Sequence, residues 1–183
     1  MTKQILDLTL DEFGYKGIIN LPVWNEFTSD SNDVYEVDFG GDINSPLLSE
    51  LIDTYDFIVS NQEEIKNVIL QELFEEYSGF QAKYCDDEDD EFMPDLTCVN
   101  DLKPLISLAR VHILDVIKDG IGYFGFEFNC SWDEEHGFGV MLFKNEVVAL
   151  GGSDSSFLSW IANDHLNESS DTKWNNSFIK DEV

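Results

Sequence analysis

The sequence predicts an α+β domain built on a mostly antiparallel sheet. Hydrophobic residues alternate at period two near the N-terminus and again after about residue 105, as half-buried strands require. Between them, residues 46–80 switch to the three-to-four spacing of amphipathic helices. Strands and helices are therefore segregated along the chain, which favours α+β over a parallel βαβ succession.

Leu6, Leu8 and Leu10 alternate, "DEFG" turns the chain, and Tyr15, Gly17, Ile19 and Leu21 alternate again, which reads as a hairpin. "DVYEVDFGG" at 33–41 reads as a third strand closed by two glycines. Ser45 then suits a helix N-cap and Pro46 a first helical position. Leu48, Leu51, Ile52, Tyr55, Ile58 and Val59 mark one buried stripe. Asn61 with Glu64 has the spacing of a capping box and opens a second helix. Its buried stripe is Ile65, Val68, Ile69, Leu73, Tyr77 and Phe80, with Glu63, Glu72, Glu75 and Glu76 toward water.

"NDLKPLISLA" at 100–109 leads by a helical turn into a four-strand meander. "RVHILDVI" and "GIGYFGFEF" join through "KDG", and "GFGVMLF" and "VVALGG" through "KNE", both tight-turn signals. Phe124, Phe126 and Phe128 share one face of their strand, and Tyr123, Gly125 and Glu127 the other. Asp154 is expected to cap a last helix with Phe157, Leu158, Trp160 and Ile161 on its apolar side. The expected organisation is one domain over 1–166, with an acidic loop at 84–96, and a polar, fraying tail over 167–183.

Charge narrows function more than any motif. Ten basic residues face 38 acidic ones, for a net charge of −28, and Arg110 is the one arginine. A nucleic-acid binder needs a basic footprint, and phosphate clamps lean on Arg and Lys, so both classes are disfavoured. A basic protein partner is what such a charge attracts. The plainer reading is solubility. Cys85, Cys98 and Cys130 form no CxxC pair and read as reduced thiols, which suggests the cytoplasm. No apolar run suggests a leader or a membrane span.

Two segments are candidate sites. "FNCSWDEEHGFGV" at 128–140 places Trp132, Asp133, Glu134, Glu135 and His136 in a connection between strands, where functional residues concentrate. As a structural turn, Trp132 packs, His136 bonds an acid or the backbone, and Gly137 and Gly139 supply unusual backbone angles. As a partner surface, the acids face a basic protein. As a metal-dependent hydrolase site it would use Asp133, Glu135 and His136, but consecutive residues converge poorly on one ion. The turn reading comes first. The second segment is the run Asp86, Asp87, Glu88, Asp89, Asp90 and Glu91, six adjacent acids that repel one another. It lacks the glycine and terminal glutamate of a calcium loop, so it reads as a solvated loop or a contact for a basic partner. His112 reads as structural, and His165 as a helix-end cation. There is no GxGxxG, P-loop, GxSxG or HExxH, so no cofactor is implied.

The succession "KDG", "GFEF", Cys130, "WDEEHG", "GV", "GG" and Asp154 resembles an uncharacterised bacterial domain family. The likeness is dense over 101–162, and "LPVW…VYEVDFGG…YDFIVSNQEEI" extends it toward the N-terminus. Proteins resembling it are small and acidic and are encoded beside polymorphic or contact-delivered toxins. The resemblance therefore implies an immunity protein whose partner is a basic toxin domain, plausibly a nuclease. It assigns no role to the WDEEHG residues. The alternatives are the hydrolase above and an acidic protein with a housekeeping role.

Overall fold

The computed structural model describes residues 8–12, 14–27, 33–84, 92–167 and 174–175. Among these, strands β1 (Thr9–Asp11), β2 (Gly14–Asn20), β3 (Val34–Phe39), β4 (Ile106–Lys118), β5 (Ile121–Cys130), β6 (Phe138–Phe143), β7 (Glu146–Gly152) and β8 (Trp174–Asn175) form one sheet whose spatial order follows the chain. Pairing is antiparallel except at β3–β4 and at the two-residue β7–β8 contact. The fold is α+β, as the segregated pattern requires.

Helices α1 (Ser49–Ser60) and α2 (Gln62–Tyr84) form the crossover that makes β3 and β4 parallel. They cover one face of the sheet. Leu51, Tyr55 and Ile58 of α1 and Ile65, Ile69, Leu73, Tyr77 and Phe80 of α2 pack there with Val37, Val111, Phe124, Phe126 and Phe128. The Phe124–Phe126–Phe128 face lies in this core as expected. Tyr123 points the other way, into a smaller core with Leu114, Met141, Ala149, Ile161 and Ala162. That second core is closed by α3 (Ser159–Asn167). Between Ile113 and Ile117 the register of β4 against β5 shifts, and Leu114 and Val116 turn toward the second core.

Several expectations change. Leu10 does not face the core: it is 52 % exposed, because β1 is a short edge strand. Helix α1 begins at Ser49 rather than Pro46, with extended backbone at Leu48. Ser45 instead donates its N–H to Asp42 O, closing a turn in which Asp42 also accepts from the Asn44 N–H. Asn61 does not form a capping box. Its side chain donates back to Phe57 O, tying the new helix to the old one. Thr54, which the stripe omitted, is fully buried and joins helix to sheet: Oγ1 donates to Glu50 O and accepts from the Gly122 N–H at 2.7 Å. Asp154 lies inside a 3-10 turn (Ser153–Ser156) and does not start α3. Phe157 and Trp160 are 44 % and 45 % exposed, leaving Ile161 and Ala162 as the buried contacts of that helix. His165 is no simple helix-end cation. Burial holds its pKa below the usual imidazole range, and Nδ1 lies 2.8 Å from the Tyr123 hydroxyl. Of the expected tail over 167–183, Asn167 ends α3, Trp174 and Asn175 form β8, and the rest lies outside the described residues.

Candidate functional site: the WDEEHG loop and the groove beside it

The β5–β6 connection is built by its own short-range contacts. Asp133 Oδ1 accepts from the His136 N–H at 3.0 Å and lies 3.0 Å from His136 Nδ1. The Gly137 N–H donates to Asp133 O at 2.8 Å. Gly137 sits at φ 71, the left-handed region that glycine adopts without penalty. The Cys130 thiol also points to Asp133 O, at 3.6 Å. Burial pushes that thiol up to about 12, so it stays a thiol and not a nucleophile. Trp132 anchors the loop from beneath, edge-on to Tyr77 and Phe138 and tilted against Phe80.

The loop is thus a built turn with a fixed outer face. Asp133 is held inward, while Glu134, Glu135 and His136 are exposed. Glu134 and Glu135 make no ion pair or side-chain hydrogen bond among the described residues. Among the described residues no three His, Cys, Asp or Glu side chains converge closely enough to hold a metal ion.

The acidic run Asp86, Asp87, Glu88, Asp89, Asp90 and Glu91 lies outside the described residues, as does Cys85. The residues on either side of it do not. Tyr84 ends α2, and its pKa is raised by burial and by nearby Asp133. Phe92 accepts a 2.6 Å hydrogen bond from Ser131 Oγ through its carbonyl, while its ring is half exposed. Both flanks therefore sit beside the WDEEHG loop.

A groove of about 580 Å³ opens next to the loop, at the end of β4 and β5. Glu26, Phe27, Lys103, Leu105, Ile106 and Glu134 are among the residues that line it. One part of it already holds a cation. Lys103 Nζ is 2.5 Å from Glu26 Oε2 and 5.9 Å from the centre of the Phe27 ring. The hydrogen bond from Lys103 holds the Glu26 carboxyl below the usual range, and Lys66 adds to this from 3.8 Å.

A second polar cluster lies on the outer sheet face. In adjacent strands, Glu36 stands beside Arg110 and Asp38 beside His112. Arg110 Nη2 lies 2.7 Å from Glu36 and Nη1 3.4 Å from Asp38. His112 Nε2 lies 2.9 Å from Glu127 Oε2, and Nδ1 3.5 Å from Asp38 Oδ2. The hydrogen bond from His112 lowers the Glu127 carboxyl pKa. Alternation puts each of these residues on the outer face of its own strand, but strand register alone brings them together. The sequence carried no signal for that register.

The glycines of the motif explain how this face is covered. A Cβ on Gly125 would lie 1.9 Å from Ser156 O, and one on Gly139 2.6 Å from Ser153 O. The 3-10 turn rests directly on bare backbone. Gly139 therefore serves close approach and not an unusual backbone angle, which corrects the expectation made for it.

The α+β sheet carries a two-helix crossover on one face and a short turn seated on glycines on the other. The chain belongs to a domain family of unknown function, DUF6985, whose profile matches residues 8–158. That span runs from the first described strand through the 3-10 turn and includes the whole WDEEHG loop. No curated protein and no solved structure matches the chain.

Proposed function

We propose that the chain acts by binding a basic protein, and that it does so as an immunity protein neutralising a toxin domain, plausibly a nuclease. The observation that supports this most is how the few cations are used. Lys16, Lys66, Lys103, Arg110 and Lys144 are each ion-paired with a carboxylate of the same chain. Lys83 and Lys118 lie over the rings of Tyr84 and Phe143. Among the described residues these contacts occupy the cations, while most of the acids are exposed. A surface of that kind steers cationic partners and repels polyanions. A nuclease presents a basic cleft for phosphates, and an acidic domain that covers it blocks substrate. Trp132, Asp133, Glu134, Glu135 and His136, together with the acidic run 86–91, are the proposed contact. The toxin association itself rests on the family resemblance. Among the described residues no helix is long and apolar enough to cross a membrane.

The test first asks whether a neighbouring gene encodes a candidate toxin domain, then measures association with that candidate between roughly 20 and 500 mM salt, a range that brackets the relevant Debye lengths. Steering predicts an association rate that falls by roughly 10- to 1,000-fold while dissociation changes little. Lysozyme and a histone serve as controls for charge alone. If the toxin domain binds no better than these, and keeps its activity beside equimolar chain, the proposal fails.

A further inference from the structure

The groove beside the WDEEHG loop has features that a general acidic surface lacks. Its lining includes the apolar Phe27, Leu105 and Ile106, all at least nine-tenths buried. Its two carboxylates, Glu26 and Glu134, differ in state. Glu26 is already neutralised in cis by Lys103, whose ammonium lies between that carboxylate and the Phe27 ring. Glu134 has no cation of its own among the described residues. The chain's own lysine thus shows what one half of the groove receives: an ammonium on a carboxylate, backed by an aromatic face. Glu134 lines the same groove and offers a second carboxylate.

Resting on the reading that the chain binds a basic protein, we propose that this groove receives one lysine or arginine side chain of the partner. The aliphatic stem lies along Phe27, Leu105 and Ile106, and the charged end meets Glu134. Long cationic side chains bury their stems on apolar surface while the head keeps polar contacts, which fits a groove with this lining. Lys103 lines the same groove as Glu134 and adds a positive charge there. Removing it should open the site and not weaken it, the opposite sign from losing a structural contact.

The experiment uses the whole chain, labelled for amide NMR, and two capped tripeptides, Gly-Arg-Gly and Gly-Gln-Gly. The arginine peptide is expected to shift amides within 103–107 and 129–134 saturably, with the glutamine peptide shifting them far less. Glu134→Gln should weaken arginine-peptide binding about two- to fivefold, the range of one exposed ion pair. Lys103→Gln should tighten it by a similar factor. Glu75→Gln, on the water-facing side of α2, should leave it within about 1.5-fold, since a distant exposed charge is screened. Equal shifts from both peptides overturn the proposal. So does a Glu75→Gln effect as large as that of Glu134→Gln, or a loss of binding on Lys103→Gln. The same variants are then tried against the neighbouring toxin domain. Tight, salt-dependent toxin binding that ignores Glu134→Gln sinks the groove and leaves the binding proposal standing. A toxin domain no better than lysozyme sinks the binding proposal, whatever the peptides show.

Discussion

Replacing Gly125 with alanine sets two effects against each other. Glycine in a strand interior is unfavourable by about 0.5–1 kcal/mol relative to alanine, so strand propensity favours the change. Packing opposes it. The new methyl would meet Ser156 O at 1.9 Å, Ser156 C at 2.5 Å and Ser156 Cα at 2.6 Å. Nonbonded carbons rest at roughly 3.5 Å or more, so the 3-10 turn must lift by more than 1 Å. The obstacle is backbone, with no rotamer to yield. Overpacking of a core by one methyl costs about 1–3 kcal/mol, and this contact lies at the severe end. Packing wins, and Gly125→Ala is expected to destabilise by about 2 kcal/mol or more. For a chain of this length that is a Tm loss of roughly 4–8 °C. Urea unfolding followed by far-UV circular dichroism gives the free energy directly. The amide and ring signals of His112 and Phe157, whose rings lie 5.2 Å apart, report whether the turn has lifted. Gly120→Ala is the comparison. It has φ +77 and nothing within 4 Å of the added carbon, so it carries backbone strain without a clash. A Gly125→Ala chain as stable as the native one, or less affected than Gly120→Ala, would refute the close-approach argument.

Trp132→Ala should cost about 2–3 kcal/mol in denaturant unfolding, since it strips a partly buried ring from Tyr77, Phe80 and Phe138. Glu134→Gln and Glu135→Gln should stay within about 0.5 kcal/mol of native, as exposed groups without partners do. Asp101 accepts hydrogen bonds from the Thr97 N–H, the Thr97 hydroxyl and the Cys98 N–H, and these lower its carboxyl to about 2. A depressed folded pKa gives stability that is complete above the unfolded carboxylate value and is lost as pH falls through the folded one. The Tm difference between native and Asp101→Asn should therefore be widest above about pH 4 and close toward about pH 2. A gap that does not change with pH would show that Asp101 acts without its charge. Calorimetric titration with zinc or manganese should show no stoichiometric binding at the WDEEHG loop. Stoichiometric heat abolished by His136→Ala would favour the hydrolase reading.

Local pattern alone determined a good part of this protein. The switch in hydrophobic period separated strands from helices, because a residue's face in either element depends only on its spacing from its neighbours. The Phe124–Phe126–Phe128 face, the stripe of α2 and the tight turn at Asp119 and Gly120 were all legible for that reason. Where competing local contacts exist, pattern misjudged the outcome. Ser45 and Asn61 could each cap a helix, but one closes a turn on Asp42 and the other bonds back to Phe57. Phe157 looked like a core residue of the last helix, yet the turn on Gly125 and Gly139 carries it outward. Strand register lies beyond pattern altogether. Asp38, Arg110, His112 and Glu127 come from three strands, and Glu26, Lys103 and Glu134 from three connections far apart in the chain. A strand's period fixes which face a side chain takes, but not which residue of another strand stands beside it. That is decided by the whole sheet closing on two cores at once, and both the polar cluster and the groove depend on it.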